Sequence, residues 1–149
     1  MFQSLIGTSP VWVTLPLRVA LGLIFIAHGA QKVFGVWGGP GLSAFMENQG
    51  KVAPLGLSPA WLWMGAAAFA ELVGGALILV GLLTRLGALL IAAVMLVAMF
   101  GVHWGAFFLQ NRGIEYTVAL LGMALGLIIA GGGRASVDEM LMTTRGRRR

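Results

Sequence analysis

The 149-residue chain contains no cysteine. Disulfides, thiol nucleophiles and CxxC redox exchange are therefore excluded, and thiolate ligands for an iron–sulfur or zinc site are missing. Any redox chemistry has to use a bound cofactor. Charge is scarce too: 10% of residues are charged, where a soluble domain carries roughly a quarter. The start of the chain also lacks the layout of a cleaved signal, because Met1 to Leu15 has no basic stretch and is interrupted by Gly7, Ser9 and Pro10. The first helix is expected to stay in the mature protein.

What is present is apolar. At 58% hydrophobic residues and a mean hydropathy of +0.91, the composition is that of an integral membrane protein. The net charge of +5 would point to nucleic acid in a soluble protein. Here Arg145, Arg147, Arg148 and Arg149 form a tail, for which anionic lipid headgroups are the simpler partner and no nucleic acid is expected.

Apolar periodicity predicts an all-α, antiparallel bundle of four spanning helices, over residues 17–34, 61–83, 86–109 and 115–131, in a single domain. An even number of spans puts both termini on one side. Arg18, Arg85, Arg134 and the basic tail (134–149) outweigh Lys32, Lys51 and Arg112, so that side is expected to be the cytoplasm. Only Thr84 and Arg85 separate the second and third spans, which predicts a tight hairpin. In the long connection after the first span, Leu42, Phe45 and Met46 lie at helical spacing opposite Glu47 and Asn48. That pattern predicts a short interfacial helix over 41–49. Small residues at four-residue spacing, Ala66, Ala70 and Gly74, then Gly122 and Gly126, allow close helix packing inside the bundle or across a homodimer seam. Trp37, Trp61, Trp63, Trp104 and Tyr116 fall near outer helix ends as an aromatic belt.

Glu71 lies inside the otherwise uncharged run from Trp61 to Leu83. A carboxylate there costs about 2.5 to 3.5 kcal/mol on insertion scales, so it needs a partner. His28, Gln31 and Lys32 share one side of the first helix, in its outer half. His103 is expected in the outer half of the third helix, and Gln110, Asn111, Arg112, Glu115 and Tyr116 crowd the loop before the fourth. At 1.5 Å per residue the two histidines lie roughly 10 Å, and Glu71 nearer 15 Å, below the outer surface. Together they would line a funnel with Glu71 at its floor. Plainer readings exist for single members: Arg18 and Lys32 as snorkelling helix ends, Arg85 as a topology determinant, each histidine as a core group bonding across helices.

The strings His28-Gly29-Ala30-Gln31-Lys32, Ala70-Glu71-Leu72-Val73-Gly74-Gly75, Gly81-Leu82-Leu83-Thr84-Arg85, His103 with Gly105-Ala106-Phe107-Phe108, and Gly113-Ile114-Glu115-Tyr116 resemble the DoxX family, in order, from about Leu17 to Leu141. The resemblance implies a four-helix membrane protein, often of the bacterial cytoplasmic membrane. The family is named for a subunit of a thiosulfate:quinone oxidoreductase, and other members are linked to oxidative stress or to membrane complexes. Arg85 is among the matching positions.

Two functions follow as expectations. In the first, the chain is the membrane subunit of a redox system and not a complete enzyme. His28, Gln31, Lys32, His103, Glu115 and Tyr116 then bind a quinone, Glu71 relays protons, and a redox partner protein supplies electrons. In the second, the chain is a non-enzymatic assembly module whose polar groups are structural glue. A zinc site ranks third, because no HxxxH or HxxE spacing supports it.

Overall fold

The computed structural model describes residues 6–48 and 53–146. Six α-helices are bounded within the described residues: α1 (Thr14–Phe34), α2 (Gly41–Asn48), α3 (Ala60–Val80), α4 (Thr84–Gly101), α5 (Glu115–Ala130) and α6 (Val137–Gly146). No strand occurs among the described residues. Three helices, α1, α3 and α4, are long and apolar enough to cross a membrane; α5 is a shorter apolar helix of 16 residues.

Glycine sets the packing. α1 lies antiparallel on α3, with Arg18 beside Ile78 at one end and Lys32 beside Glu71 at the other. A Cβ on Gly29 would come within 2.7 Å of the Leu72 backbone and Cβ, and one on Gly75 within 2.8 Å of the Ile26 nitrogen. Only hydrogen side chains let these backbones approach so closely. On the other side of α3, Gly74 meets Gly87 and Ile91 of α4. Leu21, Phe25, Ile78, Ile91, Met95, Leu120, Ala124 and Leu127 fill the space between the four long helices.

Several boundaries differ from the sequence expectation. α3 stops at Val80, where Gly81 takes a left-handed φ of 72°, so the hairpin turn is Gly81 to Leu83 and Thr84 opens α4. The third long helix ends at Gly101 and not at 109. His103 therefore lies beyond the helix, in a loop where Gly105 has φ 119°, and is not set within a span. The apolar run continues through Val102, Trp104, Phe107 and Phe108, but these are exposed loop residues, and hydropathy alone does not separate the two. α2 occupies 41–48, and residue 49 lies outside the described residues, as do Lys51 and Arg147 to Arg149. Of the small residues, Gly74 packs inside the bundle, Ala66 is exposed, and Gly122 faces open space.

The region expected to be a basic tail folds back instead. Ser9 N–H donates to Ala130 O (3.0 Å), Thr14 Oγ1 to Gly132 O (2.9 Å) and Arg134 N–H to Val11 O (3.0 Å), stitching the segment after α5 to the segment before α1. Ser136 Oγ accepts from Glu139 N–H and caps α6. Arg18 corrects the snorkelling reading most clearly. It is 2% exposed, and its guanidinium donates to four carbonyls: Ile78 (3.0 Å), Leu79 (2.9 Å), Gly132 (3.1 Å) and Ala135 (3.1 Å). The first two are last-turn carbonyls of α3, at its negative end, and the Ile78 oxygen also accepts from the Gly81 N–H (3.2 Å). Gly81 leaves the room for this, since a Cβ there would lie 2.6 Å from Arg18 Cζ.

Candidate functional site

The site is best built from one stripe of α1. Leu21, Phe25, His28 and Lys32 recur at intervals of four, three and four, so they lie along one helix face. The lower half of that stripe is sealed: Leu21 and Phe25 are core residues. The upper half is not, for His28 is exposed and the Lys32 side chain keeps 23% of its surface. The same face thus changes from apolar and covered to polar and open.

The length of α5 accounts for the part of the change that lies beyond His28. Thr14 and Gly132 tie the start of α1 to the end of α5. At a rise of about 1.5 Å per residue, the 16 residues of α5 reach about 24 Å while the 21 of α1 reach about 31 Å. α5 therefore begins, at Glu115, roughly level with Gly29 to Gln31. Beyond that level nothing from α5 covers α1.

At this open end Lys32 and Glu71 close on each other as an ion pair, with Nζ against both carboxylate oxygens. Glu71 is buried, and its partner comes from the helix that packs on it, as a carboxylate in an apolar span requires. Phe45 of α2 lies over the ammonium, 5.5 Å from Nζ to the ring centroid, and is itself buried. An ammonium above an aromatic face is a favourable contact. The sequence had placed Phe45 on the apolar side of a surface helix; here that side rests on the bundle.

The other predicted residues are not joined to this pair. Gln31 is half-buried beneath the turn at Gly39, whose Cβ would lie 2.7 Å from the Gln31 Cα. His103 donates from Nδ1 to the Arg112 carbonyl (2.8 Å), which leaves Nε2 as the free ring nitrogen. Glu115 is half-buried in the first turn of α5, where its charge meets the positive helix end, and Tyr116 beside it is exposed. No hydrogen bond or ion pair links His103, Glu115 or Tyr116 to Lys32 or Glu71 among the described residues. Nor do three His, Asp or Glu side chains gather there in a way that could hold a metal ion.

A second polar cluster, at the opposite end of the bundle, was not predicted. Asp138 accepts from Leu83 N–H (2.8 Å), Thr84 N–H (2.9 Å) and Thr84 Oγ1 (2.8 Å), while its own N–H donates to Gly81 O. It caps α4 from outside that helix, close to the Arg18 network. The only sequence signal was a pair of carboxylates, Asp138 and Glu139, in a tail otherwise rich in arginine. Arg85 bonds the Ile129 carbonyl at 3.0 Å through Nη2, and its buried Nε has no partner.

An all-helical chain with three spanning-length apolar helices and a buried ion pair between two of them is a membrane protein. It belongs to the DoxX family, whose family model, DoxX, matches residues 13–104. It is also 32% identical over 120 residues to a Bacillus subtilis (strain 168) protein named "Putative oxidoreductase CatD", a match covering 76% of this chain and 77% of that one. No solved structure matches the chain.

Proposed function

We propose that this DoxX-family chain is the membrane component of an oxidoreductase system, and that the open outer end of its bundle binds a quinone or a similar lipophilic carrier beside Lys32 and Glu71. The observation that carries this reading is the switch along α1 from the sealed pair Leu21 and Phe25 to the open pair His28 and Lys32, above a buried acid. The name of the Bacillus relative as an oxidoreductase supports the class of reaction.

The chemistry suits the residues. A quinone carbonyl accepts hydrogen bonds, which the Lys32 ammonium and the His28 ring donate. Reduction to the quinol consumes two electrons and two protons. A redox partner protein supplies the electrons, and Glu71, reached through Lys32, passes protons to the carbonyl oxygens. Gln31, His103, Glu115 and Tyr116 form the rim. In the membrane, α5 joins α1, α3 and α4 as a fourth span. Arg18, Arg85 and Arg134 face the cytoplasm of a bacterial cell with both termini, and Lys32 and Arg112 face outward.

One observation favours the glue reading: Lys32 and Glu71 satisfy each other. Quinone titration of the purified protein separates the two. The redox reading predicts saturable binding that His28→Ala and Glu71→Gln each weaken by on the order of ten-fold, about 1.4 kcal/mol. Unchanged affinity in both variants, together with a lower melting temperature in Glu71→Gln, leaves the pair as structural glue.

A further inference from the structure

We propose that α2 is a lid over the Lys32–Glu71 pair, partly closed in this structure by Phe45 and hinged on the turn from Gly35 to Gly41. This deepens the reading of the outer end as a binding site, because it gives that site a regulated entrance.

Three observations converge. First, α2 rests on α1 and α3, and two of its side chains point into the bundle: Phe45 over the Lys32 ammonium, and Met46, whose sulfur would lie 3.5 Å from a Cβ on Gly65 of α3. Phe45 is only 8% exposed although its helix has eight residues. Second, the chain entering α2 is folded back on itself through four left-handed residues, Gly35 (φ 70°), Trp37 (53°), Gly38 (76°) and Gly41 (73°). Glycine holds such angles without strain and leaves them freely, so once Gly39 lifts from Gln31 this connector has chain to give. Extended, six residues span about 20 Å, ample for α2 to move aside while α1 stays helical. Third, what α2 covers is chemically active. Beneath Phe45 lie an ammonium and a buried carboxylate, and His28 stands open one turn further along α1. A hydrophobic cap on an ion pair at the open end of a bundle is a door for a solute that can replace the ring over Lys32.

The chain has two lysines, Lys32 and Lys51, and no cysteine, which makes access to the pair measurable. In a Lys51→Arg chain held in lipid nanodiscs, a water-soluble amine-reactive ester is added and modification of the Lys32 peptide is followed by mass. Phe45→Ala is expected to raise the labelling rate on the order of ten-fold, as a local opening made easier. A disulfide between Met46→Cys and Gly65→Cys is expected to lower it below that of the reduced chain. Equal Lys32 labelling in the oxidised and reduced double variant overturns the lid, and so does a folded Phe45→Ala that labels no faster than its parent. Because the readout is reagent access, the result stands whether or not quinone binds, and quinone titration alone decides the binding reading.

Discussion

Asp138 caps Thr84 from 54 residues away, accepting hydrogen bonds from both its backbone N–H (2.9 Å) and its hydroxyl (2.8 Å). One carboxylate thereby holds the start of α4 and pins the segment after α5 beneath the bundle. Asp138→Ala should cost about 1 to 2 kcal/mol, the scale of a lost helix cap. Thermal melting in detergent measures the cost, and limited proteolysis should show faster cleavage after Gly131. An unchanged cleavage pattern would mean that the segment is held by other contacts.

Arg18 serves the same end through its five donors. It joins four carbonyls from α3 and the C-terminal segment, so Arg18→Met should destabilise by about 3 to 5 kcal/mol, in the range for breaking a buried charged network. Arg18→Lys should recover only part of this, because a point charge cannot reproduce the planar fork. Equal stability of Arg18→Lys and the parent chain in a detergent melt would show that charge, and not geometry, is what the site needs.

Two glycines in the long helices should respond in opposite ways to alanine. At Gly29 the added methyl meets Leu72 backbone atoms at 2.5 to 2.6 Å, so α1 and α3 must separate and the Lys32–Glu71 pair must loosen. The expected cost is about 1 to 3 kcal/mol. Gly122 has nothing within 4 Å of its Cβ, and Gly122→Ala should be neutral or stabilise α5 by up to about 1 kcal/mol. Melting both variants side by side checks the pair of predictions.

Lys32 and Glu71 form a thermodynamic cycle. Lys32→Met or Glu71→Leu alone leaves one charge without its partner and should cost about 1 to 3 kcal/mol. The double variant should cost less than the sum, since no unpaired charge remains. Additive costs in denaturation would show that the two side chains act independently.

Much of this was legible in the sequence. A charged residue in an apolar run announces that it needs a partner, and Glu71 found Lys32, which lies at the right depth on a neighbouring span. Helix periodicity located the long helices and α2. What stayed hidden has a common cause. Arg18 reads as a snorkelling end because its acceptors are backbone carbonyls, which every sequence contains, brought to it by chain reversal at Gly81 and Gly131. Asp138 was hidden for the same reason, since its donors are the amides of a turn. His103 was set too deep because the run Val102 to Leu109 is as apolar as the helix before it. The gathering of His103, Glu115 and Tyr116 with Lys32 depended on how far α4 and α5 reach outward, and hydropathy does not report that.

The most direct test of the central claim is photolabelling with a light-activated quinone analogue in nanodiscs, mapped by peptide mass. The account predicts label on the peptides carrying His28 and Lys32 of α1 and Glu71 of α3, lost when excess unlabelled quinone is added. Label scattered over the exposed faces of the long helices and untouched by competitor would contradict it.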